Sequence, residues 1–232
     1  MEFTSGQLCL FCLRVLLVAA LPFAAFFYLK RRHGGRFFPV LVGTVTVLLI
    51  LVPRGMMRST FVRGADSVTA KWLTVWVIGA AFEECGRYIA LRFALQNYTT
   101  RTDALCCGIG HGAAEVLMSA AFQLEILLEV LTLNGTPERL AAFAEQGVGT
   151  AVLVVLGNAE NLAFHMGMSA LVGRAVHTGG AKRILPLAVF THTLADYTEF
   201  CFGEIASLML TLVIIGAVYL LLRHDDSQLT DS

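Results

Sequence analysis

Charge is scarce in this sequence. Lysine, arginine, aspartate and glutamate together make up 15% of 232 residues, whereas 56% are hydrophobic. A soluble domain carries nearer to about a quarter of its residues as charge, which excludes an ordinary water-soluble fold. The 17 basic residues are balanced by 17 acidic ones, so no basic surplus points to nucleic acid. Six cysteines, Cys9, Cys12, Cys85, Cys106, Cys107 and Cys201, all fall in or beside apolar runs. They read as small packing residues, and no disulfide framework is expected. No internal repeat and no low-complexity tract interrupts the chain. "MEFTSGQ" has no basic residue, and no A-x-A site follows the first apolar run, so that run reads as a retained span.

What is present is a succession of apolar segments long enough to cross about 30 Å of hydrocarbon. The expected fold is an all-α polytopic membrane protein, a single integral membrane domain over 1–232 with about seven transmembrane helices. Their expected bounds are 7–29, 37–57, 68–95, 103–133, 147–174, 183–201 and 203–223. Gly34-Gly35, Gly179-Gly180 and the region of Asn134-Gly135 punctuate the connections. "TPERLAAFAE" reads as a short interfacial helix with Thr136 as N-cap and Pro137 in the first turn. On one side the loops and the C-terminus hold ten basic residues, and the other side holds five: Arg54, Arg58, Arg63, Lys71 and Arg139. This asymmetry favours an outside N-terminus and a cytoplasmic C-terminus.

The informative residues are the polar ones inside apolar helices, because a charge at the centre of a membrane helix costs about 2.5–3.5 kcal/mol on insertion scales. In "AFEECGRYIA" Glu83 and Glu84 precede Arg87 at i, i+4 and i, i+3. Arg87 can neutralise one carboxylate from its own helix, leaving the other for use as a general base, proton carrier or metal ligand. "CGIGHGAAEVL" places His111 and Glu115 on one helical face, with Gly108, Gly110 and Gly112 allowing close helix approach. The next span carries Glu160, Asn161 and His165, and the one after it His192 and Asp196. His33, His177 and His224 fall in expected cytoplasmic segments. Arg14 in the first span is expected to snorkel or pair with an acid, and Glu125 and Glu129 to form a wet rim.

A carboxylate and two or three histidines around a small cavity can activate water. Without metal, a glutamate takes the proton and a histidine stabilises the oxyanion. With metal, neutral His111, His165 and His192 bind Zn²⁺, a glutamate is the base, and Asp196 orients His192. Two further classes stay open: a non-catalytic scaffold that recruits membrane proteins, and a proton-coupled transporter.

"FEECGRYIAL", "GIGHGAAEVL", the histidine of "NLAFHMGMS", "HTLAD" and "YLKRRHGGRFFPVLVG" together resemble the YhfC family of intramembrane peptidases. That family is considered a distant branch of the CAAX prenyl endopeptidase and bacteriocin-processing superfamily. The resemblance implies an intramembrane endopeptidase of a bacterial plasma membrane acting on a peptide or membrane-protein substrate in the bilayer. It implies catalytic roles for Glu83, Glu84, Arg87, His111, His165, His192 and Asp196, with Glu115, Glu160 and Asn161 in support. The CAAX enzymes have three residues between the second glutamate and the arginine, where this chain has two.

Overall fold

Helices account for nearly all of the chain because so few residues break them and so many are apolar. The computed structural model describes residues 3–63, 67–132 and 134–230, without the side chains of 224–230. Residue 133, the expected end of the fourth span, and the His224 side chain lie outside this description. The helices are α1 (Ser5–His33), α2 (Phe37–Arg63), α3 (Val68–Ile89), α4 (Arg101–Thr132), α5 (Pro137–Ala144), α6 (Val148–Thr178), α7 (Ala181–Phe202) and α8 (Glu204–Thr230). A π-helical turn, Ala90–Ala94, continues α3, and the described residues contain no strand.

Local chemistry sets the ends. Thr4 and Gln7 cap α1 reciprocally: Gln7 N–H donates to Thr4 Oγ1 at 3.2 Å and Thr4 N–H to Gln7 Oε1 at 3.0 Å. Gly34 ends α1 with φ 68°, a left-handed conformation that side chains resist. The short helix expected after the fourth span is α5, whose first turn is capped by the Thr136 side chain on Arg139 N–H. Trp72 and Trp76 stack at 6.0 Å and pack on Phe200.

The molecule is apolar outside and polar at its centre. Leu49 and Val213 are 70% and 69% exposed, as suits side chains facing lipid. Glu84, Arg87 and His165 are fully buried. Among the described residues three helices, Ser5–His33, Phe37–Arg63 and Glu204–Arg223, are long and apolar enough to cross a membrane, and α4 and α5, bent by 103° at their junction, count as a fourth only if taken as one span. The buried histidines lie on the other long helices, α4, α6 and α7. Taken with the family reported below, this is an integral, all-α polytopic membrane protein.

Helix α4 is the hub, packed against α1, α2 and α6. Its glycines explain how neighbours come so close. A Cβ on Gly110 would lie 1.8 Å from Val40 O of α2, and one on Gly108 would lie 2.5 Å from Met166 Cα of α6. Only a missing side chain permits these crossings. Thr44 Oγ1 uses the proximity, donating to Gly110 O at 3.0 Å.

Arg54 and Arg58, read from sequence as loop charges, lie inside α2. The helix runs on past the expected boundary to Arg63. Arg58 Nε donates to Val75 O at 2.9 Å, and its guanidinium fills the space left by Gly79.

Candidate active site

Helices α3, α4, α6 and α7 each turn one polar stripe inward, and the stripes meet. One half of the meeting point is dense with hydrogen bonds, although Arg87 Nε and Glu84 Oε2 meet only as an ion pair. Arg87 Nη1 donates to His165 O and to Ser169 Oγ, both at 2.7 Å, and Nη2 donates to His165 Nδ1 at 2.8 Å. Its Nε lies 3.1 Å from Glu84 Oε2. Arginine only donates, so His165 Nδ1 accepts and the ring proton sits on Nε2. That Nε2–H donates to Glu115 Oε2 at 3.0 Å. Asn161 Nδ2 donates to the same oxygen at 3.1 Å. One buried chain thus runs from Glu84 through Arg87 and His165 to Glu115.

The other half is unsatisfied. Arg54 Nη1 bonds Glu83 Oε1, while Glu83 Oε2 has no hydrogen-bond partner among the described residues. Two imidazole nitrogens converge on that bare oxygen, His111 Nε2 at 3.5 Å and His192 Nε2 at 3.4 Å. His192 Nδ1 faces Glu84 Oε1 at 2.8 Å, and a carboxylate can only accept. A proton therefore sits on Nδ1, and Nε2, which faces Glu83, carries a lone pair in the neutral ring and a second N–H in the imidazolium. His111 Nε2 is likewise without a hydrogen-bond partner. A carboxylate oxygen facing two imidazole nitrogens calls for positive charge, which a protonated imidazole or a cation held between these atoms supplies.

The dimensions suit a divalent metal ion. Ligand atoms about 2.0–2.1 Å from a tetrahedral ion stand about 3.3–3.4 Å apart. The two edges observed around Glu83 Oε2, 3.4 Å and 3.5 Å, fall close to that. Glu84 behind His192 is the carboxylate that commonly orients a metal-binding imidazole. Glu83, His111, Glu115 and His165 each bring one donor atom within 4.8 Å of the others, a group to which His192 does not belong. Within that group His165 is already engaged at both nitrogens, so it is the least available donor.

Several residues stand apart from the roles their spacing suggests. Asp196 Oδ1 is 3.9 Å from His192 Nε2, too far for a hydrogen bond, and it is Glu84 that contacts His192 Nδ1. His111 is not bonded to Glu115, its i+4 neighbour, because Glu115 turns to α6. Glu160 sits away from the centre, accepting from Ser207 Oγ of α8 at 3.3 Å. Arg14 does not snorkel, and among the described residues it pairs with no acid. It is buried, lies 4.0 Å above the Phe11 ring and donates to Gln146 Oε1 at 2.6 Å. Glu129 and Glu125 are held by Arg139, Glu125 at 3.5 Å. Arg54 and Ser169 were not singled out from sequence. Arg54 directly follows "LLILVP", inside the expected span 37–57, but reads there as one of the charges of one membrane side.

A polar cavity of about 530 Å³ reaches the centre. Glu83, Glu115, Asn161, His192 and Asp196 line its inner end, and Gln146, Glu199, Glu204 and Ser207 are among its other lining residues. Glu84, Arg87 and His111 do not line it. Glu115 therefore belongs to both environments: Oε2 is held by two donors, while its side chain is 26% exposed.

Comparison with known proteins agrees with this picture. The family described as YhfC intramembrane metalloprotease matches residues 16–220. The chain is also similar to a protein of Bacillus subtilis (strain 168), "Uncharacterized membrane protein YhfC", at 26% identity over 132 residues, 52% of this chain and 50% of that relative. The match spans about half the length of this relative. No solved structure matches. The matched region takes in every helix that contributes to the polar centre, and the chain belongs to the YhfC intramembrane metalloprotease family.

Proposed function

We propose that the protein is an intramembrane endopeptidase in which His111, His192 and Glu83 hold a divalent metal ion, Zn²⁺, and Glu115 is the general base. The observation that carries this reading is the convergence of two imidazole Nε2 atoms on the unpartnered Glu83 Oε2 at 3.4–3.5 Å. The bound ion would supply Lewis-acid polarisation of the scissile carbonyl and charge stabilisation.

The chain's own groups supply the rest. The cavity admits water to the inner end of α3, α4 and α7. Glu115 is anchored through Oε2 by His165 and Asn161, which leaves Oε1 to take a proton from that water. The water oxygen bonds to the carbonyl carbon, the C–N bond breaks, and the proton passes from Glu115 to the leaving amine. Glu84 holds His192 in the tautomer that presents Nε2. Arg87 fixes His165, and through it Glu115. Glu115 rather than Glu83 or Glu84 is the base here, since Glu84 is tied to Arg87 and His192, and Glu83 to Arg54 and two imidazoles.

In this reading α1, α2, α3, α4, α6, α7 and α8 are the seven spans, with α5 at the interface and the N-terminus outside. A peptide segment within the bilayer is the substrate.

The test uses purified full-length protein in detergent, with elemental analysis and cleavage of a membrane-embedded peptide reporter. Wild type is expected to carry close to one zinc per chain. His111→Ala and His192→Ala lose it, while Glu115→Gln keeps the metal and loses cleavage. Metal retained in the His111→Ala, His192→Ala double variant, or undiminished cleavage by Glu115→Gln, would overturn the assignment. Peptide capture by a metal-free wild type without turnover would favour a recruiting scaffold instead.

A further inference from the structure

The cavity contains an arginine that the proposed chemistry does not use. Arg14 of α1 is 4% exposed and lines the same cavity as Glu115 and His192. Its one hydrogen bond goes to a neutral group, Gln146 Oε1 at 2.6 Å, and its Nε has no partner. Among the described residues no acid is ion-paired with it. The acids that line the cavity are engaged elsewhere or lie out of its reach: Glu83 with Arg54, Glu115 with His165, Glu160 with Ser207. Gln123 of α4 lines the cavity too, is 6% exposed, and has an unpartnered Oε1.

An isolated guanidinium in an apolar helix is expensive, and a buried charge is normally paired. Arg14 is packed face-on over Phe11, so it is held in place rather than free to reach the interface. Among the residues lining the cavity Arg14 is the one arginine or lysine, set among six acids, so an anion that enters is met by this side chain alone. On the peptidase reading, the anion a substrate brings is a carboxylate. A peptide residue also brings a backbone N–H, the donor that Gln123 Oε1 lacks.

We infer that Arg14 is a substrate-recognition residue that binds a carboxylate of the peptide, with Gln123 accepting from the adjoining amide. This rests on the peptidase reading and extends it to substrate class. Two sources present the same chemistry, the C-terminal carboxylate of a chain and an acidic side chain within it.

Binding can be tested without turnover. Four fluorescein-labelled octapeptides of alanine and leucine serve as probes: a free acid, its C-terminal amide, the amide with one internal glutamate, and the amide with glutamine there. Anisotropy is measured with full-length Glu115→Gln protein in detergent, alone and combined with Arg14→Gln or Arg14→Lys. A charge-assisted contact predicts about tenfold tighter binding of a carboxylate peptide than of its neutral partner. Arg14→Gln abolishes the preference and Arg14→Lys retains part of it. Preference for the free acid assigns the chain terminus, and preference for the internal glutamate assigns a side chain. Equal binding of all four peptides, binding of none, or a preference that survives Arg14→Gln overturns the inference. The comparison among peptides on the Arg14-containing protein stands even if an Arg14 variant fails to fold. Loss of cleavage in the earlier test would leave this binding result intact, so the two ideas fail separately.

Discussion

The two halves of the polar centre are built to opposite standards. Around Arg87, the guanidinium meets a carbonyl, a hydroxyl, an imidazole and a carboxylate, all at 2.7–3.1 Å. Around Glu83, a carboxylate oxygen and a histidine nitrogen are left without hydrogen bonds while fully enclosed. Both halves share α3, and Glu83 and Glu84 are consecutive residues. The difference is therefore one of partners rather than depth. A network with many hydrogen bonds rigidifies, whereas one with few holds donor atoms ready for something else at a cost in stability. The first half acts as the frame and the second as the working face.

If this division is right, substitutions in the two halves separate activity from stability. The largest expected effect is on turnover: Glu115→Gln lowers cleavage by about 10²–10⁴-fold with unfolding in detergent little changed. A parallel loss of folding would erase the division. Arg87→Met strikes the frame and leaves Glu84 buried without its guanidinium, at an expected cost of about 3–5 kcal/mol, read from thermal or denaturant unfolding. A normal transition in that variant would contradict the framing role. Gly108→Ala pushes against Met166 and the His165 carbonyl that Arg87 uses. Overpacking there is expected to cost about 1–3 kcal/mol, and retained cleavage at low temperature would show that the frame yields before the working face. Smallest is Ser169→Ala, which removes one of several acceptors from Arg87 and is expected to cost about 1 kcal/mol.

Much of this was legible in the residues. Long apolar runs announced a helical membrane protein, and the cap chemistry of Thr136-Pro137 announced α5. Helical spacing correctly placed an inward polar stripe on each of α3, α4, α6 and α7. It could not say which stripe residue meets which, because partners within one helix compete with partners across the bundle. His192 lies four residues from Asp196 yet is bonded to Glu84, 108 positions away. Glu115 lies four from His111 yet accepts from α6. Arg54 was hidden for a different reason: a charge near the end of an expected span reads as facing the membrane surface, and only its partner Glu83 shows that the helix carries it inward. Glycines were easier to interpret, since Gly108 and Gly110 bring α6 and α2 into contact where close approach was expected.

The distribution of partners along the chain also sets a timetable for synthesis. Arg54 precedes Glu83 by 29 residues, so that pair can form as α3 emerges. Arg87 waits 78 residues for His165, and Glu84 waits 108 for His192. At about 5–20 residues per second, α3 spends about 5–20 s with its charges incompletely matched. During that interval the ribosome-bound intermediate is best kept at the insertion machinery, in a wet lateral site rather than in lipid. Release of the third helix into the bilayer is thus tied to the arrival of the seventh.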